Sequence, residues 1–171
     1  GRETRALAER YQGGHRPFDW ADNVYDLLLH GPLPDGGSAE AFRVGHRFGG
    51  GSRHPTVRWY TVAVVELPRT LPTASLDTTT DPADARPPAA GGRLIWTEGG
   101  HGPLFAGLRG YAEDPDAGTA LFTPEVLART RALAMDWRLE GRTATGVVPG
   151  GSSPRAMLSM VDHLAWFTTR V

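Results

Sequence analysis

Residues 42–48 read FRVGHRF, residues 49–52 GGGS and residues 56–67 TVRWYTVAVVEL. In the first run Phe42, Val44, His46 and Phe48 alternate with Arg43, Gly45 and Arg47, the period of a strand with one buried face. The return run is rich in Val, Trp, Tyr and Thr and stops at Pro68. Joined by a glycine-rich turn, the two runs predict an antiparallel hairpin. An antiparallel sheet is therefore the frame into which the flanking segments must fit.

On the N-terminal side, residues 23–30 (NVYDLLLH) fit a helical face through Val24, Leu27 and Leu28, or a buried strand bounded by Asp22-Asn23 and Gly31-Pro32; the strand is preferred. Residues 31–38 (GPLPDGGS) form a loop. Residues 13–22 are a connector. Residues 1–12, with RETRALAERYQ over 2–12, read as an N-terminal helical stalk whose Arg2, Arg5 and Arg10 would lie on the cytoplasmic side of a preceding membrane span. The alternative is a frayed amphipathic first helix.

On the C-terminal side, residues 71–76 predict a short edge strand. Prolines 68, 72, 82, 87 and 88 fall among Thr, Asp and Ala, and residues 77–92 read as a mobile surface loop. That loop interrupts one domain, residues 13–171, because neither flank has a core of its own. Residues 93–98 and 108–112 predict strands. Thr123-Pro124-Glu125 starts a helix running to about Met135, with Val126, Leu127, Leu133 and Ala134 inward. Residues 137–139 and 143–148 make a second hairpin around Glu140-Gly141-Arg142. Ser152-Ser153-Pro154 caps a last helix to about Thr169, in which Met157, Met160, Val161, Leu164 and Phe167 recur at three- and four-residue steps. The expected fold is α+β: an antiparallel sheet packed against two main helices, with a Pro-rich surface loop.

Composition removes whole classes of chemistry. The 171 residues carry a net charge of −1 and contain no cysteine, so there is no disulfide frame, Cys-ligated metal or thiol nucleophile. All 18 basic residues are arginine, which excludes a P-loop cation or a Schiff-base lysine. A balance so near zero argues against a nucleic-acid partner. The exclusive use of Arg, with abundant Gly and Pro, fits a GC-rich coding sequence.

The densest local charge is Arg43, His46, Arg47, Arg53, His54 and Arg58, with no acidic residue among them. Guanidinium forks beside the amides of a glycine turn can hold a phosphate or carboxylate, and this set is the candidate anion site. The preferred reading of the same residues is a solvated face that keeps the hairpin soluble and discourages edge pairing. The six histidines make no HxH, HxxxH or HExxH pattern, so neither a metal nor a cofactor is expected. No G-x-S-x-G occurs, and a triad of Ser52, His101 and Asp162 has no motif to support it. Asp162 and His163 are adjacent on the last helix, about 100° apart. Glu113-Asp114-Pro115-Asp116 reads as a solvated turn, and the five tryptophans as core or rim packing. No catalytic residue is assigned.

Several segments together resemble a family of actinobacterial membrane-anchored proteins of unknown function, which combine hydrophobic spans with a soluble α+β domain. The resembling stretches are Pro17-Phe18 with Asn23-Val24, Val64-Val65-Glu66-Leu67-Pro68 with Leu71-Pro72, Tyr111-Ala112-Glu113-Asp114-Pro115, Leu121-Phe122-Thr123-Pro124, Trp137-Arg138-Leu139-Glu140-Gly141-Arg142, and the last helix with Leu158, Leu164 and Phe167. The resemblance implies a domain beside a membrane and brings no catalytic residues. The resulting expectation is a non-enzymatic binding or scaffolding module, tethered through a preceding segment at the cytoplasmic face, whose partner is a protein or a small anion. The rival is a hydrolase using His101 or His163 as general base.

Overall fold

The structure, a computed structural model, describes residues 2–11, 17–19, 23–48, 56–78, 93–96, 107–113 and 115–171. The hairpin is present: β2 (Ser38–Phe48) and β3 (Thr56–Glu66) pair antiparallel without a break from Ser38↔Glu66 to Phe48↔Thr56. Around it are β1 (Asn23–Pro32), β4 (Ala74–Asp77), β5 (Arg93–Trp96), β6 (Arg109–Ala112), β7 (Asp136–Glu140) and β8 (Thr143–Pro149). All join one eight-stranded antiparallel sheet in the order β1-β2-β3-β8-β7-β4-β6-β5. Four helices accompany it: α1 (Arg2–Tyr11), α2 (Pro115–Leu121), α3 (Pro124–Leu133) and α4 (Pro154–Thr168). The α+β class read from the sequence is the class of this fold.

Residues 23–30 form a strand because they carry a bulge. Asp26 pairs with Arg43 and Leu29 with Ala41, so β1 advances three residues where β2 advances two. Leu27 takes up the extra residue at φ 49° and is exposed. Leu28 and Leu29 then pack against opposite sides of the sheet. This division explains why three consecutive leucines fit neither a pure helical nor a pure strand period.

One sheet face carries the larger core. Ala63, Val65, Leu76, Trp137 and Leu139 meet Leu121, Val126 and Leu127 of α2 and α3 and the inward row of α4. That inward row contains all five residues expected of it, Met157, Met160, Val161, Leu164 and Phe167. Thr123 caps α3 by accepting the Val126 N–H at 3.3 Å, and Ser153 caps α4 by accepting the Ala156 N–H at 3.3 Å. At the other end of α4 the Arg69 guanidinium donates to the Thr168 carbonyl, an acceptor the helix terminus leaves open, and to the carbonyl of Val171 beyond the helix.

The opposite face holds a second core of Phe42, Val44, Tyr60, Val62 and Val147, roofed by α1. Within the segment read as a stalk, Leu7 is only 2% exposed and Tyr11 stacks on Phe18 and Phe42 with ring centroids 5.3 and 5.1 Å apart. Arg10 and Tyr11 both donate to Glu40, at 2.5 and 3.1 Å. Burial and the Glu40 carboxylate push the Tyr11 phenol up to about 12, so it remains a donor at all physiological pH. Helix α1 therefore lies on the sheet as part of the domain.

Three further expectations differ from the structure. Ala134, expected on the inner face of α3, is its exposed C-cap at φ 49°. The short strand β4 is not at an edge but lies between β7 and β6. Asp136 accepts the Thr78 N–H and hydroxyl, both at 2.6 Å, and fixes the residue that follows it. Pro115 and Asp116, expected in a solvated turn, are the first residues of α2, which packs Ala117 and Leu121 inward; Asp114 lies outside the described residues. Of the expected loop over 77–92, only Asp77 and Thr78 belong to the described residues.

Candidate functional site

The basic hairpin is laid out by strand alternation and register. Arg43, Gly45 and Arg47 point to the α4 side of the sheet, with Ala41 of the larger core on the same row. His46 lies directly opposite Arg58, on the other side, in the row of Phe42, Val44 and Tyr60. The four described members of the candidate anion set thus form two pairs on opposite faces. Arg53 and His54 lie outside the described residues.

Arg43 is already engaged. Its Nε and a terminal nitrogen donate to the two oxygens of Asp26 at 2.7 and 2.6 Å, a bidentate fork, and its guanidinium sits 5.3 Å from the Trp59 ring. The acid absent from residues 43–58 is supplied by β1, across the strand pair. Hydrogen bonding to Asp26 raises the Arg43 pKa further above its ordinary value. Trp59 lies so close over Gly45 that a Cβ there would come within 2.9 Å of the ring, and this close approach is what the glycine permits. His46 packs edge-on against Phe48 at 4.5 Å, and the Arg58 guanidinium lies 5.9 Å from Tyr60. What the strand rows make of this segment is a set of pairs along the sheet.

The other group of functional residue types lies where α3 meets α4. His163 is 5% exposed, and its Nε2 is 2.8 Å from Thr130 Oγ1, which also accepts the Trp137 indole N–H at 3.2 Å. Its Nδ1 is buried with no hydrogen-bond partner among the described residues. Burial, with the positive charge of Arg129 adding to it, lowers the His163 pKa to about 4. The imidazole is therefore neutral at pH 7.

Ser159, Asp162 and His163 line one cleft of about 440 Å³ with Arg129, Leu133 and Trp166. They do not form a catalytic relay. The Ser159 hydroxyl donates to the Arg155 carbonyl at 3.2 Å, no carboxylate of the described residues meets His163 Nδ1, and the hydroxyl beside Nε2 belongs to Thr130, which is wholly buried. An acyl-transfer site needs a base that is oriented and a nucleophile that substrate can reach. An imidazole with a pKa near 4 is also a weak proton acceptor at neutral pH. His101 lies outside the described residues.

The rim of this cleft is a compact aromatic and cationic group. The Arg129 and Arg170 guanidinium carbons lie 3.9 and 4.4 Å from the Trp166 ring centroid, and the two oxygens of Glu125 take one arginine each, at 3.1 and 2.9 Å. Across α4 a second cleft, of about 320 Å³, is lined by Leu29, Pro32, Leu33, Leu158 and Val161. Asp162 borders both clefts, and Leu158 between them is 55% exposed. The signal for this face was present in the sequence: once Met157, Met160, Val161, Leu164 and Phe167 are turned inward, Leu158 has no core position left to occupy. Among the described residues no group of three or more His, Asp or Glu is arranged to hold a metal ion.

Comparison with protein-family models, curated proteins and solved structures finds no match to this chain.

Proposed function

We propose that the chain is a non-enzymatic protein-binding module whose recognition face is the outer surface of α3 and α4. The observation that carries this reading is the coincidence on one face of an exposed leucine, a Trp166 held by two arginines, and two flanking clefts. Trp and Arg dominate binding hot spots because each combines a large contact area with a polar handle. Hydrogen-bonded side chains around them fix the geometry before a partner arrives, which limits the entropy lost on docking.

The absence of native cysteine allows a direct test. A single Ser159→Cys carrying a thiol-linked photocrosslinker is expected to give a discrete protein adduct in producing cells. A Thr119→Cys control, exposed on α2, is expected to give none. Equal labelling from both positions, or none from Ser159→Cys, overturns the assignment of the face. Hydrolysis of an ester, phosphate or peptide substrate that disappears in His163→Ala overturns the non-enzymatic reading.

The same proposal includes a membrane tether on the cytoplasmic side, supported by the family resemblance and by Arg2 and Arg5 in the first turn of α1; Arg10 is held by Glu40. Among the described residues no helix is long and apolar enough to cross a bilayer, so the tether would lie outside them. Fractionation of cells making the full-length protein checks this. Retention in carbonate-washed membranes is expected, and recovery only in the soluble fraction overturns the tether.

A further inference from the structure

We propose that the partner met by this face is a second copy of the chain, with α4 packing antiparallel against α4 about a two-fold axis that passes between Leu158 and Ser159. The inference rests on the binding-module reading and names its occupant.

Two charges on α4 point to this occupant. Arg155 and Asp162 are seven residues apart, two helical turns, so they project from the same outward stripe about 20° apart. Both are exposed, and neither forms an ion pair with any described residue. Unlike Glu125, Arg129 and Arg170 on the same face, they have no partner within the described residues of the domain. Their signs are opposite and Leu158 lies between them.

Antiparallel pairing places residues opposite each other when their numbers have a constant sum. With the axis between 158 and 159, Arg155 stands opposite Asp162 of the second copy, and Asp162 opposite its Arg155. These two charges thereby satisfy each other twice, one pair at each side of the axis. The same operation keeps the Leu29–Leu33 cleft of one copy on the same side as that of the other, so each Leu158 approaches the partner's apolar cleft. This arrangement is isologous: one surface carries the knob, its cleft and both halves of the charge pair, which a closed two-fold dimer requires. A parallel pairing would set Arg155 against Arg155 and gain neither contact. Because a single-helix contact with two clefts belongs to the smaller class of interfaces, micromolar rather than nanomolar affinity is expected.

The test is sedimentation equilibrium of the purified 171-residue chain, with Arg155→Glu, Asp162→Arg and their equimolar mixture. Wild type is expected to dimerise with rising concentration. Each variant alone faces like charges twice across the axis and is expected to self-associate at least about tenfold more weakly. The mixture is expected to recover the dimer. In the mixed pair the introduced glutamate of one chain meets the introduced arginine of the other on one side of the axis, and the remaining native Asp162 and Arg155 meet on the other. Circular dichroism melts establish that both variants fold. A wild-type chain that stays monomeric to about 1 mM overturns the proposal. Single variants that dimerise as wild type, or a mixture that stays monomeric, overturn it equally. A Ser159→Cys adduct with a different protein, alongside a monomeric purified chain, removes the second copy as partner and leaves the binding-module reading standing. Loss of every adduct removes both.

Discussion

Replacing Trp137 by alanine is expected to cost about 3–5 kcal/mol of folding stability. Trp137 sits on β7, 2% exposed, with Phe122 at 5.8 Å on one side and Phe167 at 4.7 Å on another. It therefore joins the sheet to the connection between α2 and α3 and to the last turns of α4. Truncation removes the buried ring and leaves a cavity that these separately anchored elements cannot close together. The loss also takes away the N–H that occupies Thr130 Oγ1 inside the core. Against a typical net stability of ~5–15 kcal/mol this is a large fraction, and at ~2–4 °C per kcal/mol it corresponds to a melting point lower by roughly 6–20 °C. Urea unfolding followed by far-UV circular dichroism measures the change without relying on tryptophan emission. Trp137→Phe separates the two contributions: it retains most of the ring and loses the donor, and about 1–2 kcal/mol is expected. A loss below ~1 kcal/mol for Trp137→Ala would mean that the three elements are not packed through this residue.

The parts of the fold that sequence reading reaches are those whose cause is local. The hairpin over residues 42–67 declares itself by alternation, and Thr123-Pro124 and Ser153-Pro154 declare helix starts by their caps. The inward row of α4 is a matter of spacing alone. What fails is whatever depends on a distant neighbour. That β4 lies inside the sheet is decided by the pairing of Ala74 with Leu139 and Ala112, both far from it in sequence. Helix α2 is seven residues long and holds Pro115 and Gly118, so it offers no period to recognise, and it is stabilised by burying Ala117 and Leu121. The candidate site shows the same division. The charge density around residues 43–58 is plain in the sequence, but cross-strand register decides that Arg58 and Arg43 face opposite ways, and the bulge in β1 is what leaves Asp26 opposite Arg43. The Glu125–Arg170 contact likewise joins the start of α3 to the residues just beyond α4, and no spacing rule announces it.

His163 makes the folded state sensitive to acid in a window its surroundings define. The folded-state pKa lies near 4, whereas an unfolded histidine has its ordinary value of 6.5. As the pH falls below 6.5 the unfolded chain takes up a proton at this position first, and the folded chain does so only near 4. The contribution of the neutral buried imidazole is therefore fully present above 6.5 and is lost as the pH falls toward 4, by up to about 3 kcal/mol. The physical origin is the pocket. Thr130 and Trp137 supply a hydrogen-bond chain suited to a neutral ring, Arg129 opposes a second positive charge, and no carboxylate of the described residues meets Nδ1. His163→Gln keeps a polar group within reach of Thr130 but does not titrate. Urea unfolding of both proteins at several pH values between about 7 and 4 is expected to show wild type losing up to about 3 kcal/mol more than the variant across that interval. The other histidines and the carboxylates are common to both proteins and cancel in the difference. Parallel stability curves would mean that His163 takes up its proton as readily in the folded protein as in the unfolded one, and the buried neutral imidazole between α3 and α4 would then be wrong.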